Sequence, residues 1–173
     1  CGVTSTGSVE CWGWDGEGQS TPPGGTFESV SAGAEHTCGV TSTGSVECWG
    51  RASDGQSTPP AGTFESVSAG DFHTCGLMST GSVECWGDEY EGESTPGGTF
   101  QSVSAGIYHT CAVASTGSVE CWGDYGGDFA PPTPGGTFES VGAGYEHTCG
   151  VTSTGSVECW GDDDDGQSTP PEL

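Results

Sequence analysis

The string "HTCGVTSTGSVECWG" occupies positions 36–50 and returns unchanged at 147–161. Near-copies stand at 73–87 and 109–123, and a shortened copy, "CGVTSTGSVECWG", opens the chain at 1–13. The first cysteines of the five copies fall at 1, 38, 75, 111 and 149, a step of 36 to 38 residues. A repeat of this length is one supersecondary unit that cannot bury its own apolar face, so neighbouring units must stack. Full units cover 25–61, 62–97, 98–135 and 136–173, after a partial unit at 1–24. The chain starts in mid-repeat without an initiator Met, so it reads as a mature or excised piece of a longer protein.

Within a unit, "FESVSAG", "HTCGVT" and "SVECWG" read as three short strands. Counting inward from Cys38 and Cys48 places Gly39 opposite Glu47, Val40 opposite Val46 and Thr41 opposite Ser45. Ser42, Thr43 and Gly44 remain as a three-residue loop, in which Gly44 supplies the left-handed conformation. Directly opposed residues on a two-stranded ribbon are close enough for a disulfide. The predicted bridges are therefore Cys1–Cys11, Cys38–Cys48, Cys75–Cys85, Cys111–Cys121 and Cys149–Cys159. Closing so short a loop stabilises by roughly 2–3 kcal/mol, which a small unit poor in aliphatics needs. A metal-thiolate site is the weaker reading, because zinc ligands come in tight pairs such as C-x₂-C. Five disulfides imply an oxidising compartment.

Strand alternation points His36, Cys38, Val40, Val46 and Cys48 one way, and Thr37, Gly39, Glu47 and Trp49 the other. The repeated Trp at 12, 49, 86, 122 and 160 suits packing between neighbouring sheets. The His at 36, 73, 109 and 147 is expected to be buried and bonded to a neighbouring backbone group, since a catalytic base is rarely needed in every repeat.

Variation is confined to two places: the pair before each His ("AE", "DF", "IY", "YE") and the stretch after each "CWG". The rest is framework, an arrangement that separates scaffold from display surface.

The chain holds 25 acidic residues against one basic residue, Arg51, for a formal net charge of −24. Such a surface repels polynucleotides and anionic membranes. The acidity is either a solvation device or an attractant for cations or a basic partner. Leu occurs only at 77 and 173, which excludes a Leu-rich helical bundle. No apolar run approaches the ~20 residues that cross a bilayer as a helix.

The stretch "VSAGAEHTCGVTSTGSVECWGRASDGQ" resembles the repeat of the regulator of chromosome condensation family, which pairs "AG..H" with "G.V..WG....GQ". Gly33, His36, Gly44, Val46, Trp49, Gly50, Gly55 and Gln56 carry the match in the second copy. The "GQSTPPAGTF" connection resembles secreted bacterial members, including the type II β-lactamase inhibitor protein. The resemblance implies an all-β fold in which each ~37-residue repeat is one blade of a β-propeller. Here Cys replaces the family's aliphatic hairpin positions, and the loop after "WG" is acidic rather than Asn-bearing. With one unit incomplete, no closed five-blade ring is expected; the array is a partial or open one.

No Ser/His/Asp set, phosphate loop or catalytic carboxylate pair stands apart from the repeat, so the chain reads as a non-enzyme that needs no cofactor. Asp162, Asp163, Asp164 and Asp165 form the one weak metal candidate, with oxygen donors suited to Ca²⁺ but without the spacing of a calcium loop. The expected function is a non-catalytic, extracellular or cell-surface structural or adhesive module acting through its variable loops. The alternative is a protein-binding or inhibitory propeller, and an enzyme is a distant third. The partner is a protein or a second copy, basic if the acidity attracts it. Trp14, Phe72, Tyr90, Tyr108, Tyr125, Phe129 and Tyr145 are the candidate anchors, since aromatics dominate binding hot spots.

Overall fold

The computed structural model describes residues 1–88, 95–125, 128–129 and 133–171. Among these there are only strands and turns. A two-stranded ribbon, β1 (Gly2–Val3) and β2 (Val9–Glu10), opens the chain. A three-stranded sheet follows: β3 (Phe27–Ala32), β4 (His36–Thr41) and β5 (Val46–Gly50). The next is β6 (Phe64–Ala69), β7 (His73–Met78) and β8 (Val83–Gly87). The fourth sheet holds β9 (Phe100–Ala105), β10 (His109–Ala114), β11 (Val119–Tyr125) and a short β12 (Asp128–Phe129). The last is β13 (Phe138–Ala143), β14 (His147–Thr152) and β15 (Val157–Gly161). Each sheet is antiparallel in sequence order, and each is one propeller blade.

The hairpin register is the one that the cysteine spacing gives. Cys38 faces Cys48, Gly39 faces Glu47 and Val40 faces Val46. Thr41 N donates to Ser45 O at 2.8 Å, Gly44 N to Thr41 O at 2.9 Å, and Gly44 has φ +82°. That is a type I turn closed by a left-handed glycine. Disulfides join 1–11, 38–48, 75–85, 111–121 and 149–159.

The core lies between blades. Cys38, Val40 and Val46 pack on Phe64 of the following blade, with Val67, Met78 and Trp86 around them. Cys75, Leu77 and Val83 meet Phe100 and Trp122, and Cys111, Val113 and Val119 meet Phe138. The bridging sulfurs thus occupy core positions, and Cys38, Cys75 and Cys111 are completely buried. The next blade is what buries them. Val157 on the last blade is 38% exposed, whereas Val46, its counterpart, is 8% exposed. Trp12 is 74% exposed against 8% for Trp49.

Backbone bonds stitch one blade to the next. The Phe that starts each innermost strand donates its N–H to the turn glycine of the preceding blade: Phe27 to Gly7, Phe64 to Gly44, Phe100 to Gly81 and Phe138 to Gly117, all at 2.7–2.8 Å. Serines of "VSAG" make a second stitch, as Ser31, Ser68 and Ser104 Oγ accept from Ala69, Ala105 and Ala143 N at 3.0 Å.

The recurring histidines make a third stitch. The expectation from the sequence is a backbone partner; in three of the four the structure shows a hydroxyl of the next blade instead. His36, His73 and His109 Nε2 lie 2.7 Å from Thr74, Thr110 and Thr148 Oγ1. Thr74 spends its own proton on Gln56 O at 3.1 Å. His36 Nε2 must therefore be the donor, which sets the tautomer. The same Gln56 carbonyl accepts Trp86 Nε1 at 3.0 Å, so both its lone pairs are used. Gln19 O repeats the pattern with Thr37 Oγ1 and Trp49 Nε1. Burial pushes the imidazoles of His36, His73 and His109 down to about 4.

Candidate binding surface

The two variable segments of the repeat converge. Gly33 N donates to His36 O at 2.9 Å, so the pair Ala34–Glu35 is the apex of a two-residue loop between β3 and β4. Asp71–Phe72, Ile107–Tyr108 and Tyr145–Glu146 occupy the same apex in the next three blades, closed by Gly70, Gly106 and Gly144. In three blades the first residue after "WG" bonds back to this apex. Arg51 N donates to Glu35 O at 2.8 Å, Asp88 N to Phe72 O at 3.1 Å and Asp162 N to Glu146 O at 2.7 Å. Both variable stretches therefore share one face of the arc. The constant "TSTGS" turns are at the other ends of the same strands.

The "AG" pairs explain how closely the blades approach on this face. A Cβ on Gly33 would run into Gly70 O and sit 2.9 Å from His36 Cε1. One on Gly106 would sit 2.5 Å from Gly144 O. Only glycine lets neighbouring backbones meet there. The Ala-Gly pairs of the four blades, with Ala34, Asp71 and Ile107, line an open groove of about 380 Å³.

Three aromatic residues follow directly in sequence on the groove-lining Asp71, Ile107 and Gly144. Phe72 and Tyr108 stack at 6.5 Å between centroids with 28° between planes. Tyr108 meets Tyr145 edge-on at 5.7 Å and 76°. Tyr145 is 53% exposed, and the other two are half-buried. This ladder unites three of the predicted anchors. Trp14 is 62% exposed on the first blade, and among the described residues no ring contact joins it to the ladder. Tyr90 lies outside the described residues, and Tyr125 and Phe129 are described only through the backbone of β11 and β12.

The charge changes of the variable segments are visible in the sequence, but the pairing of Arg51 with Glu35 and Asp54 and the half-burial of Asp71 are not. Arg51 Nη1 contacts Glu35 Oε2 at 2.6 Å, its Nη2 contacts Asp54 Oδ2 at 3.1 Å, and its Nε donates to Ser53 Oγ at 2.7 Å. The bond to Glu35 and the surrounding carboxylates hold the guanidinium charged. Asp71 stands at the groove, half-buried, with no cationic partner among the described residues. Burial, then the charge of Glu35, pushes its carboxyl up.

The Asp162–Asp165 run has local duties. Asp163 Oδ1 accepts Ser168 N at 2.8 Å and its Oδ2 accepts Thr169 Oγ1 at 2.7 Å. Asp15 makes the same two bonds to Ser20 and Thr21 in the first blade. Asp162 Oδ2 accepts Gln167 Nε2 at 2.6 Å. Among the described residues, no three carboxylate, His or Cys side chains gather as a metal site requires. Nor is any helix there long and apolar enough to cross a membrane.

Comparison with known proteins bears on this geometry. The family model of the regulator of chromosome condensation (RCC1) repeat matches residues 27–56, 64–93, 100–127 and 138–167. The chain is similar to the CRINKLY WD40 ectodomain of the Arabidopsis thaliana receptor kinase ACR4, at 32% identity and TM-score 0.67 over 79% of this chain and 50% of that one. It is similar to the ectodomain of the Physcomitrella patens receptor kinase CR4, at 32% identity and TM-score 0.68 over 80% of this chain and 39% of that one. Yeast RCC1 (Prp20), solved bound to Kap60, shares the fold at 15% identity and TM-score 0.66, over 80% of this chain and 44% of that one. The chain thus spans half or less of the length of these proteins. No curated protein matches it.

Proposed function

Because this chain belongs to the regulator of chromosome condensation repeat family, we propose that it is a non-catalytic extracellular adhesive module that holds a protein partner on its variable face. The observation that carries the reading is the convergence of both variable segments on one face, where they present a stacked aromatic ladder. A scaffold that varies only there is built for recognition. Aromatic rings of this size are the usual anchors of a protein interface.

Two further observations support the reading. Every blade carries a disulfide, and the two similar receptor-kinase structures are ectodomains, which agrees with an oxidising, extracellular setting. His36, His73 and His109 are sealed between blades with their Nε2 atoms committed to threonine, which leaves them no path to a substrate. Assembly with a second copy is the structural side of this function.

The test compares two sets of variants of the oxidised protein for adhesion to cells that bind the native protein, read by flow cytometry. Tyr108→Ala and Tyr145→Ala alter the variable face, and Thr43→Ala and Thr80→Ala alter the constant face. Truncation of a true anchor costs about 2 kcal/mol or more, roughly thirtyfold in affinity. Loss confined to the first pair supports the reading; equal loss in both sets, or none in either, overturns it.

A further inference from the structure

We infer that the groove mouth beside Asp71 receives an arginine side chain from a basic peptide segment, held between the Asp71 carboxylate and the Phe72–Tyr108–Tyr145 ladder. The inference deepens the proposed function and rests on it, since it names the chemistry of the partner at that face.

The face already holds one guanidinium, the chain's own. Arg51 is gripped by Glu35 at 2.6 Å and Asp54 at 3.1 Å, with Ser53 Oγ on its Nε. One blade further on, the pattern changes in two ways. The residue after "WG" is Asp88 instead of Arg51, and the apex pair is Asp71–Phe72 instead of Ala34–Glu35. The chain's only basic side chain is thus spent on Glu35 and Asp54, and Asp71 is left without a counter-ion among the described residues.

The surroundings of Asp71 select the occupant. The groove of about 380 Å³ is walled by alanine and glycine, so a long side chain can enter it without displacing others. The carboxylate is half-buried, where pairing with a cation is worth more than in open water. Phe72 is the next residue on the same apex, and its stack with Tyr108 at 6.5 Å, with Tyr145 edge-on, offers π surface on the same face. A guanidinium is planar and weakly hydrated, forks onto a carboxylate and stacks on rings, whereas a lysine ammonium does the last two poorly. The net charge of −24 draws basic segments to the whole molecule, and Asp71 and the ladder decide where they seat.

The experiment is fluorescence anisotropy of a labelled, end-capped peptide, Gly-Gly-Arg-Gly-Ser-Arg-Gly, titrated with the oxidised chain. The same peptide with Gln, and with Lys, at both Arg positions serves as comparison. Asp71→Asn and Tyr108→Ala test the site, and Glu139→Gln removes an equal charge from the opposite end of β13. Circular dichroism melting checks that each variant is folded. The native chain should bind the Arg peptide, with the Lys peptide several-fold weaker and the Gln peptide weaker still. Asp71→Asn and Tyr108→Ala should each weaken it about tenfold, and Glu139→Gln less than about twofold. No binding of the Arg peptide, equal binding of the Gln peptide, or equal losses from Asp71→Asn and Glu139→Gln would each overturn the inference. The adhesion assay separates the two readings. If Tyr108→Ala abolishes adhesion while the Arg peptide fails to bind, the binding face stands and its arginine site falls.

Discussion

His36 Nε2 and Thr74 Oγ1 lie 2.7 Å apart across a blade boundary, both fully shielded from solvent. Thr74 passes its own proton to Gln56 O, which also takes Trp86 Nε1. One hydroxyl of the third blade thus ties a histidine of the second to the Gln56 connection between them, on which Trp86 of the third blade also bonds. Thr74→Val keeps the shape and removes the oxygen, which strands a buried N–H. That costs about 1–3 kcal/mol. Thermal unfolding of Thr74→Val should show this loss, and Thr74→Ser should recover most of it. A Val variant as stable as the native protein would mean that the bond is incidental.

The same histidines make stability depend on pH. Their ordinary value is 6.5, and burial lowers His36, His73 and His109 to about 4. In the unfolded chain they take up protons as pH falls below 6.5, while in the fold they stay neutral. The unfolded state then binds more protons, so stability falls with falling pH. The contribution is complete above pH 6.5, is lost between 6.5 and about 4, and amounts to roughly 3 kcal/mol per imidazole. Urea unfolding at about pH 7.5, 6 and 5, a window above the ordinary carboxylate range, should show a steady decline. His73→Gln should flatten that slope; an unchanged slope would point to another group.

The hairpins were legible in the sequence because their determinants are local. Cys38, Cys48 and Gly44 lie within one turn and its flanking strands, and the period-two rule orders everything between them. Contacts between blades were not legible in the same way. His36 and Thr74 are 38 residues apart, and their meeting depends on the angle between sheets. A buried histidine could be expected, but not which group would satisfy it. The variable pair before each His was visible as variation. That it caps a two-residue loop, and shares a face with the stretch after "WG", follows from backbone bonds such as Arg51 N to Glu35 O, which no side-chain pattern encodes.

Glycine at the blade junction should be irreplaceable, and glycine in the connection should not. A Cβ on Gly70 would strike Gly106 O and lie 3.3 Å from His73 Cε1. Neither neighbour can withdraw, since one is backbone and the other is pinned to Thr110. Gly24 has open space around it. Gly70→Ala should destabilise by about 1–3 kcal/mol through forced overpacking, while Gly24→Ala should be neutral or slightly stabilising. Equal melting temperatures for the two variants would show that the blades can separate without cost.

Reduction should separate the disulfides by their place in the arc. Cys38, Cys75 and Cys111 are fully buried beneath Phe64, Phe100 and Phe138 of the following blades or beside them. Both sulfur-bearing residues of Cys149–Cys159 are half-buried, on the face that Val157 shares. A thiolate must reach a sulfur along the S–S axis, so access sets the rate where the bond itself is alike. Under limiting dithiothreitol with alkylation and peptide mass mapping, Cys149–Cys159 and Cys1–Cys11, whose cysteines are likewise half-buried, should open before Cys75–Cys85. The consequences should differ as well. Replacing both Cys75 and Cys85 by Ala removes a cross-link worth roughly 2–3 kcal/mol and also empties a core position against Phe100 and Trp122. The same change at Cys149 and Cys159 removes the cross-link alone. The central double variant should therefore melt lower than the terminal one. Equal losses would mean that the sulfurs act only as staples and contribute nothing as core.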